Sequence, residues 1–345
     1  MADWGCRCCR LGLPSLILVK IHCFMLSNQQ IKLFKSYQQK KFRHQDGVFV
    51  AETPKVAEVL MRSGLRILTV AALESWWERP ANEDLLRRWE RRHGCRVERL
   101  VVTPKELERI SGLVQPQEVW MLLGRPEAAL SGLAATAVDA LCRGCCLLLD
   151  GLQDPGNVGT VLRLADWFGM DAVLCTADCA DVFQPKCVQA SMGSVGVVPV
   201  WYAEREEWSE LIRAKSGIEV AGDGEKTCLG ASDGHSSGLQ VFGTFMQGDN
   251  IYRQTLPQSS AWYIVGNEGK GISPCLEAAV GQRLSIPAFP RSGFLRGTGS
   301  GQEGESWGKE AALGGLDAAS PGAESLNAAM ATAILCSEIR RQMVR

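Results

Sequence analysis

From Cys146 onward, short apolar runs and segments of helical period take turns, and this alternation constrains the fold more than any other feature of the chain. Strands are expected over 146–151, 171–176, 196–202, 218–222, 261–266 and 283–287, and helices over 157–168, 185–192, 206–215, 273–280 and 326–343. Strands separated by helices predict an α/β fold, a parallel sheet covered on both faces. Such sheets bind ligands beyond the carboxyl ends of their strands, so the strand-to-helix junctions are where chemistry is expected.

Three junctions stand out. In "DGLQDPGNVGTVLRLADWFG" (150–169) the apolar run ends in Asp-Pro-Gly-Asn, and Val158, Val161, Leu162, Ala165 and Phe168 then recur at helical spacing with Arg163 among them. A lone charge on a packed helix needs a partner, which singles out Arg163. In "AWYIVGNEGKGIS" (261–273) a buried strand is followed by three glycines, which permit close backbone approach or positive φ. Lys270 precedes Gly271 rather than Ser or Thr, so this is no phosphate-binding P-loop. In "ESLNAAMATAILCSEIRR" (324–341) Ser325 is expected at the N-cap of an Ala-rich helix, whose free amides suit a polar ligand edge.

The remainder divides around these junctions. Residues 25–128 read as a compact α/β unit, and 129–145, small and weakly polar, as a linker. Residues 1–24 read as an upstream extension without a role in the fold, since Lys20 interrupts their apolar stretch and Met25 opens a natural start. Residues 288–323 are rich in Gly, Ser and Ala without periodicity, and a flexible insertion is expected. The formal GxGxxG at 299–304 lacks the preceding strand and following helix that a dinucleotide site requires, which leaves a nucleotide-dependent oxidoreductase with little support.

Composition limits the partners. Thirty-seven basic and 38 acidic residues nearly cancel, so nucleic-acid binding has to come from local patches. Two patches are present: Lys32, Lys35, Lys40, Lys41 and Arg43; and Arg87, Arg88, Arg91, Arg92, Arg96 and Arg99 around Trp89 and His93. Taken alone, each reads as a solvated face. The 14 cysteines and four histidines show neither disulfide nor metal-site spacing, so free thiols, no metal and a cytoplasmic setting are expected. No run is long enough to cross a membrane.

Together the three stretches resemble the motifs of the SpoU/TrmH family of RNA ribose 2'-O-methyltransferases, within the SPOUT superfamily. "DPGNVGTVLRLADWFG" is similar to the first motif, "IVGNEGKGIS" to the second, and "SIP" with "ESLNAAMATAILCSE" to the third; the similarity extends over 146–343. Residues 25–128 resemble the ribosomal-protein-like RNA-binding domain that many members carry in front. The resemblance implies a trefoil-knotted, dimeric α/β domain at 146–345 that uses S-adenosylmethionine and no metal. Gly266, Ile286 and Leu326 match the positions whose backbones line the methyl-donor pocket, while Asn157, Arg163, Glu268, Ser325 and Asn327 match the polar site positions.

The chemistry fits those residue types. The leaving group of a sulfonium departs neutral, so the difficulty is a ribose 2'-hydroxyl that must lose its proton beside a phosphate. The resemblance carries a general-base role for Arg163, but a guanidinium holds its proton, so Arg163 is read as the group that grips the phosphate and stabilises the developing alkoxide. Asn157 and Asn327 are expected to orient the nucleotide or tie the motif loops, Glu268 to hold Arg163 or loop amides, and Ser325 to contact substrate. Beside such a domain the basic patches become phosphate contacts, with ribosomal RNA the first expectation and transfer RNA open. An inactive dimeric RNA-binding scaffold is the alternative, favoured by an insertion where the family has a short loop.

Overall fold

The structure is a computed structural model and describes residues 26–216, 218–220, 226–228, 238–288 and 325–344. The extension at 1–24, the insertion beyond residue 288 and part of the 218–222 strand lie outside the described residues. The chain divides into two compact units between Gly124 and Arg125.

The first unit contains α1 (Asn28–Ser36), α2 (Lys40–Asp46), β1 (Val48–Glu52), α3 (Pro54–Arg62), β2 (Ile67–Ala72), α4 (Glu74–Trp77), α5 (Pro80–His93), β3 (Glu98–Val101), α6 (Pro104–Ile110) and β4 (Val119–Gly124). Reciprocal capping boxes start α1 (Ser27 with Gln30) and α6 (Thr103 with Glu106), and proline opens α3 and α5. The strand order is β1-β4-β2-β3, with β4 antiparallel to both neighbours. Strand β4, which the sequence pattern did not reveal, is a fully apolar run that periodicity cannot assign to strand or helix. Its Trp120 packs on Phe34, ring centroids 4.7 Å apart, in the core that α1 and α6 share with the sheet.

Both basic patches lose a member to the interior. Arg43 is 2% exposed and donates to the carbonyls of Tyr37 (3.2 Å) and Gln38 (2.9 Å). Arg99 is held by both carboxylate oxygens of Glu90, at 2.8 and 2.9 Å. Burial works against that carboxylate, yet Arg99 and the Val97 amide hold Glu90 below the ordinary range. Trp89 is buried, stacked on His93 with its indole N–H on the Leu65 carbonyl. Lys32, Lys35, Lys40, Lys41, Arg87, Arg88, Arg91, Arg92 and Arg96 stay exposed.

The second unit contains α7 (Ala135–Arg143), β5 (Cys145–Leu149), α8 (Pro155–Trp167), β6 (Ala172–Thr176), α9 (Pro185–Ser191), β7 (Val200–Ala203), α10 (Arg205–Ser216), β8 (Ile218–Val220), β9 (Lys226–Cys228), β10 (Gln240–Asn250), β11 (Ala261–Val265), α11 (Pro274–Glu277), β12 (Gln282–Ser285) and α12 (Ala328–Arg341). Six strands form a parallel sheet in the order β12-β10-β11-β5-β6-β7. The side chains of Cys146, Leu148, Trp262 and Ile264 meet α7, α10 and α11 on one face. Leu147 and Leu149, pointing the other way, are equally buried, and α8, α9 and α12 pack together there. Gly159 sets the α8–α9 approach, because a Cβ on it would lie 2.6 Å from both the Cys187 carbonyl and the Ala190 methyl.

Two expectations need correction, and one strand has to be added. The 129–145 linker is largely α7, whose Leu141 carbonyl accepts from the Trp262 indole at 3.0 Å and whose Cys142 is buried; its small residues belong to a helix packed on the sheet. Strand β10 was missed although it lies between β11 and β12, because its central glycine and polar second half hide the strand pattern. The 196–202 strand starts only at Val200, after a 3-10 turn over Ser194–Gly196.

Candidate active site

Parallel strands bring their carboxyl ends to one edge of the sheet. There β5 is followed by Asp150–Asn157, β11 by Gly266–Ser273, and β12 by Ile286. Three side chains join the motif segments at that edge: Asn157 donates its amide to Glu268 Oε1, and Asn327 donates to Asn157 Oδ1 at 3.1 Å. Asn327 also caps α12, its Oδ1 accepting from the amides of Ala329 (3.0 Å) and Met330 (3.3 Å). Asn157 is placed by its own cap: Asp154 Oδ2 accepts from the Asn157 amide at 2.9 Å. Lys186 at 2.9 Å and that amide hold the Asp154 carboxyl below its ordinary range.

The second motif loop is built around Asn267, a residue that the sequence reading did not single out. Asn267 exchanges backbone bonds with Gly271 (3.0 and 2.8 Å), accepts from the amides of Gly269 and Lys270, and donates to the Gly151 carbonyl at 2.7 Å. Gly266 is required by this closure, since a Cβ there would stand 2.4 Å from the Gly271 carbonyl carbon and 2.5 Å from the Ile272 nitrogen. Its glycine serves the loop's own backbone, and Gly271 adds the positive φ of +70°. Asp150, also unmarked in the sequence, is 1% exposed and accepts from the Ser273 amide at 2.6 Å. An Asn opening a tight glycine turn and an Asp directly after a buried strand were the available signals.

Arg163 departs from expectation. It lies on the exposed side of α8 and, among the described residues, makes no hydrogen bond or ion pair. Glu268 holds Asn157, not Arg163. Ser325 is exposed and the N-cap falls two residues later, at Asn327, because an amide side chain reaches two backbone N–H groups there. Leu326 is 49% exposed, while Gly266 and Ile286 are half-buried. Among the described residues, no cluster of His, Cys, Asp and Glu could hold a metal ion, and no helix is long and apolar enough to cross a membrane.

The fold and site thus define a two-domain α/β protein: a parallel sheet whose three motif segments are knitted at one edge, preceded by a separate α/β unit. Residues 144–227 match the SpoU rRNA Methylase family and residues 28–120 match the MRM3-like substrate binding domain. The protein described as "a putative RNA methyltransferase of the TrmH family from Porphyromonas gingivalis" is similar in structure, with 30% identity, TM-score 0.64, and 92% of this chain and all of that chain covered. The AdoMet-bound rRNA methyltransferase from Sinorhizobium meliloti shares the fold at 23% identity and TM-score 0.66, covering 94% and 99% of the two chains. Among curated relatives, 23S rRNA (guanosine(2553)-2'-O)-methyltransferase RlmP of Bacillus subtilis (strain 168) is 26% identical over 78% of this chain and 91% of its own length. The chain belongs to the SpoU/TrmH family of RNA methyltransferases.

Proposed function

We propose that this protein transfers a methyl group from S-adenosylmethionine to a ribose 2'-hydroxyl of structured RNA, with ribosomal RNA as the substrate. The observation that carries the reading is the Glu268–Asn157–Asn327 chain of hydrogen bonds, which gathers three segments distant in sequence at the sheet edge where α/β proteins bind ligands. The names of the relatives supply the substrate class.

The residues present fit the methyl donor. Gly266 has no room for a side chain, Ile286 leaves β12 at the same edge, and Leu326 leaves apolar surface exposed one residue before Asn327. Backbone and apolar surface of this kind suit an adenosyl group. When bound, the sulfonium supplies an electrophilic methyl. The protein's part is to position the nucleophile: Arg163, uncommitted among the described residues, grips the phosphate beside the target ribose and stabilises the oxygen as its proton leaves. Asn157 and Asn327 orient that nucleotide through the latch, and Ser325, exposed beside it, contacts substrate.

The functional form in this proposal is a trefoil-knotted homodimer. The knot is carried by the family resemblance; in the structure the segment entering β11 packs along the end of α12, where Gln342 accepts from the Leu256 amide at 3.0 Å and Gln258 donates to the Ile339 carbonyl at 3.2 Å. Support for a second copy comes from Trp167, 84% exposed four residues after Arg163, and Met330, 61% exposed on the adjoining α12. The exposed arginines of α5 are the proposed phosphate contacts of the first unit. The described cysteines are free thiols, which supports a reducing, cytoplasmic setting.

The test is transfer of labelled methyl to total unmodified RNA by wild type and Arg163→Ala, followed by digestion to nucleosides. Label in a 2'-O-methylnucleoside that vanishes with the variant is the expected result. No label despite donor binding would replace the reading with an RNA-binding scaffold.

A further inference from the structure

Three elements that the reaction does not itself use converge behind the second motif loop. Arg205 opens α10, directly after β7. Its Nε donates to Asp150 Oδ1 at 2.8 Å and its terminal nitrogen to Asp178 Oδ2 at 2.6 Å. From there two arms diverge. Through the first, Asp150 Oδ2 accepts from the Ser273 amide at 2.6 Å, which fixes the end of the loop. Through the second, Asp178 Oδ1 accepts from the Thr176 hydroxyl at 2.7 Å, that hydroxyl accepts from the Gly151 amide at 2.8 Å, and the Gly151 carbonyl accepts from Asn267 at 2.7 Å, which fixes its beginning. One guanidinium therefore holds both ends of the 267–273 loop.

We infer that Arg205 is a positioning residue for methyl-donor binding, acting through Asp150 and Asp178 on the loop that carries Glu268 and follows Gly266. This rests on the proposed reaction. A planar two-pronged donor suits the task because two carboxylates on different elements must be held at a fixed separation. The guanidinium keeps 31% side-chain exposure and Asp178 40%, but Asp150 is 1% exposed, so it is the Asp150 carboxylate that water cannot readily serve in place of Arg205. Without it, the buried Asp150 carboxylate would have to be re-satisfied by moving away from the Ser273 amide.

The experiment uses the full chain and three variants, Arg205→Gln, Arg205→Lys and Asp178→Asn, with S-adenosylmethionine and S-adenosylhomocysteine binding by calorimetry. RNA binding and amide exchange of 150–153 and 267–273 are measured alongside. Asp178→Asn is the conservative control, since an amide keeps the shape and one acceptor and spares Asp150. The expected result is a donor Kd weakened on the order of tenfold to a hundredfold in Arg205→Gln, less in Arg205→Lys and Asp178→Asn, faster exchange confined to the loop, and RNA affinity within twofold. Donor affinity within twofold of wild type in folded Arg205→Gln and Asp178→Asn would overturn the inference. So would donor and RNA affinities falling in parallel with Tm, which marks a purely structural role. A wild type that binds no donor would defeat the proposed reaction instead, before any variant is compared.

Discussion

Asn327 and Asn157, 170 positions apart, share a hydrogen bond of 3.1 Å in which the Asn327 amide donates and the Asn157 Oδ1 accepts. Because Asn157 uses its own amide on Glu268, its two ends serve two different motifs, and only an amide offers a donor and an acceptor in that arrangement. Asn157→Asp keeps the shape but sets a second carboxylate against Glu268, so the latch opens at neutral pH. Methyl transfer is expected to fall on the order of a hundredfold while the Asp154 cap keeps α8 intact. Single-turnover transfer and far-UV circular dichroism check this; activity within threefold of wild type would refute the latch.

Arg163 is exposed and uncommitted among the described residues, so its removal has little folded-state cost. Arg163→Ala is expected to change stability by no more than about 0.5 kcal/mol. Methyl transfer is expected to fall by roughly 100-fold or more with donor affinity unchanged. Thermal unfolding, donor calorimetry and labelled transfer on one preparation decide it; a loss of stability matching the loss of activity would contradict a role confined to the substrate.

Gly266→Ala has a different origin of damage. The added methyl meets the Gly271 and Ile272 backbone, which cannot swing aside as a long side chain would. A destabilisation of about 1–3 kcal/mol is expected, together with loss of donor binding. Denaturant unfolding with and without S-adenosylmethionine measures both; a variant that binds donor as wild type does would show that the loop has slack.

How much of the fold and site is readable in the sequence follows from what each residue's neighbourhood encodes. The regular β5–α8–β6–α9 run is legible because apolar strand runs and a helical repeat are local signals. Strand β10 is not, because Gly243 and the polar stretch to Asn250 break its pattern, and its place between β11 and β12 depends on tertiary pairing. Asn157, Glu268 and Asn327 are flagged by motif resemblance, yet their mutual bonds are invisible to spacing, being formed by segments that meet only after folding. Arg205 carries no signal at all: an arginine opening an exposed helix reads as solvated until Asp150 and Asp178 are seen beside it.

The first unit allows a test that separates surface from structural arginines. Arg88, Arg91, Arg92 and Arg96 are exposed, whereas Arg99 is held by Glu90 and Glu83. Changing the four exposed residues to Gln is expected to weaken RNA binding and to flatten the dependence of log K on log salt by about 0.7–0.9 for each phosphate that is no longer neutralised, without moving Tm. Arg99→Gln leaves Glu90 without its charged partner, with only the Val97 amide still donating to it, and is expected to lower stability by about 1–3 kcal/mol while sparing the salt slope. Salt titrations of RNA binding beside thermal melts distinguish them; an unchanged slope in the fourfold variant would move the RNA-binding face elsewhere on the unit.

Glu52 gives the first unit a pH dependence of defined sign. Burial raises its carboxyl above the ordinary 4.5, and the opposing hydrogen bonds from Ser111, Gly112 and Gln38 do not cancel that rise. A carboxyl with a raised folded value binds its proton more tightly when folded. Its contribution is therefore fully present below about pH 4.5 and is lost as pH rises through the folded value. Glu52→Gln removes the titration; its carbonyl oxygen still accepts from the Gly112 amide, while the Ser111 hydroxyl, which donates to Glu52, turns to accept from the new side-chain amide. The stability of wild type relative to the variant is thus expected to decline as pH rises from about 4.5 towards neutrality, whatever the offset at either end. Denaturant unfolding of both proteins at steps between those limits measures the difference directly. A difference that stays flat, or that rises with pH, would mean that the Ser111 and Gly112 bonds outweigh burial and that Glu52 is held as a carboxylate.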